Sequence, residues 1–175
     1  MKKCLIIVDF QKDFVDGSLG FAGAAVLDDR IVKKISACQK EQTHILFTLD
    51  THGLDYLDTQ EGRRLPVPHC QKPADGWALY GKTAAYLPAA QAVFEKNTFG
   101  SLALADFLRA QQYGRVELVG LVSNICVLSN AVLAKAALPE ADIVVDAACT
   151  DSFDKAMHEK ALDILEGIHV QVINR

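Results

Sequence analysis

Short apolar runs alternate along this chain with stretches whose apolar positions recur every three or four residues. CLIIVD (4–9), HILFTLD (44–50), VFEK (93–96), RVELVGL (115–121), DIVVD (142–146) and VQVIN (170–174) predict strands. Unbroken apolar stretches such as LIIV mark strands buried on both faces, as in a parallel sheet covered by helices. Helical spacing runs through 26–42, 101–112, 125–138 and 154–167, and Ser101 is placed to cap the second of these. The alternation predicts an α/β fold, a doubly wound, Rossmann-like parallel sheet of about six strands with helices on both faces. The segment 51–91 breaks the pattern, being poorly periodic and rich in Pro, Gly and charge. No repeat or linker divides the chain, so a single domain spanning 1–175 is expected.

Folds of this class bind ligands beyond the C-terminal ends of their strands. Four chemistry-bearing residues fall there: Asp9, Asp50 and Lys96 end the first three strands, and Cys126 follows the fourth. A cysteine near a helix N-terminus faces unpaired N–H groups, which favour a thiolate and lower its pKa. The backbone N–H groups of Val122 and Cys126 could face an oxyanion forming on a carbonyl. No histidine ends a strand to serve as base, but Asp9 does. A carboxylate beside a thiol can take its proton and return it to a leaving amine. Lys96 would balance the charge of the pair. Taken singly, such a cysteine is more often a small core residue and such an aspartate a turn residue. Gathered at one sheet edge, they favour the catalytic reading. Cys4, Cys38 and Cys149 read as packing.

Asp50 and His52 form an Asp-x-His pair leaving a strand end, and residues two apart share a face in extended chain. His69 follows, stiffened by Pro66 and Pro68, with Glu61 between. One carboxylate, two imidazoles and open positions would suit a divalent metal, zinc first, with iron or manganese as alternatives. A polar surface loop with scattered histidines satisfies the same spacing. Cys70 adjoins His69, but neighbouring residues rarely both reach one ion.

The net charge of −4 gives no reason to expect nucleic acid. No apolar run approaches a membrane span, and Asp9 interrupts the signal-like start MKKCLIIVDF, so no membrane association is expected. Five cysteines without regular spacing argue for a reducing compartment, hence a cytoplasmic protein.

Three motifs in order, LIIVDFQKDFVDGSL, FEKNTFGS and GLVSNICV, resemble those of the isochorismatase-like cysteine hydrolases, and within them the nicotinamidases and pyrazinamidases. The resemblance covers nearly the whole chain. It implies Asp9, Lys96 and Cys126 as catalytic residues, with Val122 and Cys126 supplying the oxyanion hole. It also implies a non-proline cis peptide at Leu121–Val122. Asp50, His52 and His69 match the family's metal ligands, with Glu61 as a further candidate, and LPVPHC resembles the stretch before the last ligand. Phe14 falls where an aromatic faces the substrate ring. The implied activity is hydrolysis of a small carboxamide, nicotinamide foremost, to acid and ammonia through a thioester on Cys126, by a homo-oligomer.

Two departures stand out. The family's Thr-Asp before the nucleophile is Ser123-Asn124 here. The aromatic before the last metal histidine gives way to Leu65-Pro66, so that Leu65 lines the pocket, with Trp77 either a downstream substitute or a core residue. The rivals are another small amide, isochorismatase-type vinyl-ether hydrolysis, and a catalytically silent binding protein on this fold.

Overall fold

A computed structural model describes residues 1–175. Six strands form one all-parallel sheet: β1 (Lys3–Val8), β2 (His44–Asp50), β3 (Ala92–Lys96), β4 (Arg115–Leu121), β5 (Asp142–Asp151) and β6 (Gln171–Ile173). The helices are α1 (Lys12–Val15), α2 (Leu27–Lys40), α3 (Gln60–Arg64), α4 (Leu102–Gln111), α5 (Leu128–Ala137) and α6 (Lys155–Gly167). None is long and apolar enough to cross a membrane.

The strand order is β3-β2-β1-β4-β5-β6. Winding reverses between β1 and β4, which opens a crevice above their C-terminal ends. Asp9 leaves β1 and Cys126 follows β4, so the two flank that crevice. Gly120 makes the close approach there possible. Its φ is +108°, and a Cβ would lie 2.1 Å from the Val8 carbonyl oxygen.

Alternate residues of β1 feed two apolar layers. Cys4, Ile6 and Val8 pack with α4, α5 and α6 residues such as Leu108, Ala131 and Leu162. Leu5 and Ile7 pack with Ile31 and Ile35 of α2 on the opposite face. This two-sided burial is what the unbroken apolar strands foretold.

The structure corrects several bounds. β5 runs to Asp151 rather than ending at Asp146, through a register shift against β4 between Leu118 and Gly120. Within the shift Asp146 Oδ1 accepts from the Ala148 N–H, and Thr150 Oγ1 donates to the Gly120 carbonyl. A bulge of this kind hides the strand's continuation from a period-two pattern. β6 is shorter than expected. The aperiodic segment 51–91 contains α3, capped by Thr59 Oγ1 accepting from the Gly62 N–H, and three 3₁₀ segments. A second cis peptide, Lys72–Pro73, lies within it.

Candidate active site

Three adjacent strands deliver three charged groups to one point. Asp9 takes φ +44°, a left-handed conformation uncommon outside glycine, as the chain leaves β1. Its carboxylate accepts from Thr48 Oγ1 at 2.6 Å and pairs with Lys96 Nζ at 2.6 Å. The same ammonium lies 3.3 Å from Asp50 Oδ1 and 3.7 Å from Cys126 Sγ. Asp9, Asp50, Lys96 and Cys126 are all buried. Gln11, also buried, clamps Asp50 from below. Its Nε2 donates to the Asp50 carbonyl at 2.9 Å, and its Oε1 accepts from the Asp50 N–H at 2.7 Å.

Burial sets the proton balance. It pushes the Asp9 carboxyl above the usual carboxylate range, while Lys96 pulls it back and Asp50 adds to the rise. Burial also raises the Cys126 thiol well above its ordinary value, reinforced by the Asp9 charge and opposed by Lys96. This corrects the expectation of a lowered thiol. Desolvation of this nearly buried sulfur at the cavity wall opposes ionisation and favours the protonated thiol. Burial works against the charge on Lys96, but Asp9, Cys126 and Asp50 hold it protonated.

Cys126 lies in a π-helical turn, Ser123–Val127, that leads into α5. The Leu121–Val122 peptide is cis. The Val122 N–H makes no hydrogen bond within the fold, and Val122 lines the cavity together with Cys126. Ser123 Oγ lies 2.8 Å from His158 Nδ1 of α6, a partner that sequence reasoning missed. The Asn124 side-chain oxygen is buried without a partner.

Asp50, His52 and His69 converge, their donor atoms all within 4.8 Å of one another. Asp50 Oδ2 lies 3.0 Å from His52 Nε2 and 3.4 Å from His69 Nε2. Because the Val67 carbonyl can only accept, His69 Nδ1 carries the proton in its 2.8 Å bond to that oxygen. The Nε2 lone pair is thereby aimed at the centre, the arrangement that orients a ligating imidazole. Glu61 Oε1 stands further off, 3.7 Å from His69 Nε2 and 4.0 Å from His52 Nε2. Cys70 is not part of the cluster; its N–H donates to Asp13 Oδ2 at 2.7 Å. The donor set of one carboxylate and two imidazoles fits a divalent transition metal.

Above this floor lies a cavity of about 330 Å³, at the small end of the range for small-molecule sites. Cys126, Asp50, His69 and Glu61 provide its polar groups. Phe14 and Leu65 line it as expected, joined by Leu19, Phe99, Ile125 and Phe153, which the sequence did not single out. Phe14 meets His69 edge-on, with ring centroids 5.6 Å apart. Trp77 is not in the wall. Its Nε1 donates to Thr51 Oγ1 at 2.9 Å and Lys72 Nζ sits 4.6 Å from its ring centroid. A short 3₁₀ turn carries it and holds the indole against Thr51, just past the end of β2.

Known proteins agree with this geometry. A sequence model of the isochorismatase domain matches residues 3–175. The chain is 33% identical over 147 residues to an isochorismatase family protein, PncA, of Bacillus subtilis (strain 168), covering 75% of this chain and 78% of that one. The crystal structure of nicotinamidase PncA from Bacillus subtilis superposes with a TM-score of 0.86 at 31% identity, over 98% of this chain and 99% of that one. That of pyrazinamidase/nicotinamidase from Streptococcus mutans UA159 gives 0.88 at 26% identity, over 98% and 100%. With its sheet order, its strand-end residues and a domain match spanning nearly every residue, the chain belongs to the isochorismatase family.

Proposed function

We propose that the protein is a cysteine amidohydrolase that cleaves a small aromatic carboxamide, nicotinamide first, through a thioester on Cys126. The observation that carries this reading is one buried ammonium, Lys96, shared by Asp9, Asp50 and Cys126 and lying behind the Asp50 and Cys126 side chains that line an apolar cavity. Asp9 takes the thiol proton, and the sulfur attacks the carboxamide carbon. The oxyanion forms against the Val122 and Cys126 N–H groups. Asp9 then hands its proton to the departing nitrogen, so ammonia leaves and the thioester remains. Water enters, Asp9 takes a proton from it, and attack on the thioester carbon breaks the C–S bond; Asp9 returns that proton to the sulfur, which releases the acid and restores the thiol and the Asp9 carboxylate. Lys96 stays charged throughout and offsets the carboxylates.

Asp50, His52 and His69 would hold a divalent metal, zinc by preference, with Glu61 beside it. Once bound, the metal supplies a Lewis-acid contact for a ring nitrogen of the substrate. Phe14 and Phe99 offer aromatic surface to a planar ring.

The isochorismatase reading is disfavoured by charge. Its substrate is a dicarboxylate, yet no lysine or arginine lines the cavity, while Asp50 and Glu61 do. Two carboxylates would enter without a cation to meet them. The test is ammonia release from nicotinamide by the purified protein, before chelation, after chelation and after metal add-back. Rapid release that is lost on chelation and restored by zinc is expected. No release by the metal-loaded protein would remove nicotinamide as substrate.

A further inference from the structure

Asn130 sits on α5 one helical turn beyond Cys126 and is only 1% exposed. Its Oδ1 accepts from the Ser101 N–H at 3.0 Å. Its Nδ2 donates to the Phe99 carbonyl at 3.0 Å and to the Cys126 carbonyl at 2.8 Å. A primary amide has two N–H donors and one carbonyl, so both hydrogens and the oxygen are engaged. The neighbours dictate its orientation, since carbonyls only accept and the Ser101 N–H only donates.

These partners belong to different parts of the site. Cys126 carries the sulfur. Phe99 forms a cavity wall and lies in the loop between Lys96 at the end of β3 and α4. Ser101 caps α4, its Oγ accepting from the Leu104 N–H at 3.1 Å. Asn130 is the only α5 side chain hydrogen-bonded to that loop. Packing presses the two together as well. A Cβ on Gly100 would lie 2.7 Å from Leu133 Cδ1 and 3.5 Å from Ser129 Cβ, both on α5. The loop thus lies flush on the helix, and Asn130 pins it there from within.

We infer that Asn130 is a positioning residue that fixes the Phe99 wall relative to the Cys126 turn, setting the spacing between substrate ring and reacting sulfur. The inference rests on the proposed reading, in which Cys126 is the nucleophile and the cavity holds the amide. Asn130 touches no substrate and acts through its two carbonyl partners. Displacements of about 1 Å in such a site cost on the order of a hundredfold in rate, so a fixed spacing matters.

Two variants separate the roles. Asn130→Ala removes all three bonds. Asn130→Thr keeps a hydroxyl that can donate to the carbonyl four residues back, here Cys126, but is too short to hold Phe99 and Ser101 as well. Three quantities are measured on folded protein: kcat and KM for nicotinamide, and the rate constant for alkylation of Cys126 by iodoacetamide. The last needs no substrate. Urea midpoints establish the folded fraction. Asn130→Thr is expected to alkylate within about twofold of the parent while KM rises roughly tenfold, the split expected when a wall moves and the nucleophile does not. Asn130→Ala is expected to raise KM similarly and to slow both kcat and alkylation roughly tenfold. Parent-like KM and alkylation in both folded variants would overturn the inference, as would losses that track only the unfolded fraction. If the parent itself does not hydrolyse nicotinamide, the substrate reading fails, and alkylation still decides on Asn130. Slowing in Asn130→Ala alone would support its role, and equal rates in all three proteins would refute it.

Discussion

The two ends of the sheet carry similar materials and put them to different uses. At the N-terminal end, a cavity of about 410 Å³ is lined by Lys3, Lys34, Arg115, Glu41 and Glu117 together with Cys4 and Cys38. Every cation there has an acid: Lys3 pairs with Glu41 at 3.1 Å, Arg115 with Glu117 at 3.6 Å, and Lys34 with Glu117 and Asp146. At the C-terminal end, one buried lysine serves two carboxylates and a thiol. Water screens the exposed Lys3–Glu41 pair and leaves it worth little, while Lys34 is half-sheltered between Glu117 and the buried Asp146. Burial removes that screening from the C-terminal set, so a proton must move whenever a charge appears. On the proposed reading, chemistry arises where charges are shared and dry, and the sheet's direction decides which end that is.

The sharpest way to break the comparison is at the upper end. Cys126→Ala is expected to lower turnover by about 10⁴-fold or more with the fold retained, as removal of a nucleophile does elsewhere. Circular dichroism and ammonia release check it together. Lys96→Met should follow. It leaves Asp9 and Asp50 uncompensated, and breaking such a buried set costs about 3–5 kcal/mol, read in urea unfolding, besides impairing turnover. Lys3→Ala at the lower end should cost no more than about 1 kcal/mol and leave kcat unchanged. Equal stability losses in these two variants would erase the contrast.

The metal set supplies a third expectation. His69→Ala should bind less than one-tenth of the zinc held by the parent at equal free metal, by atomic absorption, roughly matching the cost of losing a ligand-shell contact. The pH dependence of kcat/KM supplies a fourth. In the proposed mechanism Asp9 must be ionised to take the thiol proton, and burial raises its carboxyl. Activity is therefore present at neutral pH and falls as pH drops through that raised value. The acid limb should lie above the ordinary aspartate value of about 3.9. The smallest effect concerns Cys149, pushed up to about 12 by burial and the nearby Asp146. At neutral pH it should alkylate far more slowly than Cys126, whose proton has Asp9 as acceptor. Peptide mapping after brief iodoacetamide treatment checks this.

Periodicity made the six-stranded sheet legible, because parallel strands buried twice must be apolar throughout. Strand ends then located Asp9, Asp50, Lys96 and Cys126, since chain direction alone places them on one edge. His69 was legible through its proline neighbours and the family resemblance, although its tautomer depends on the Val67 carbonyl, which no pattern reveals. Phe99, Phe153 and Ile125 stayed hidden as cavity walls because an apolar residue in a loop or helix looks the same whether it faces core or ligand. Trp77 misled for that reason. Asn130 and His158 were missed because their partners lie far away in sequence, on Phe99 and Ser123. The thiol's direction was misjudged because local helix geometry is visible in sequence and burial depth is not.

The most direct test mixes the metal-loaded protein with nicotinamide, quenches in acid and maps the Cys126 peptide by mass spectrometry, with ammonia release followed in parallel for the parent and for Cys126→Ala. The account predicts an acyl group on Cys126, ammonia from the parent and none from the variant. Undiminished ammonia release by Cys126→Ala would contradict it.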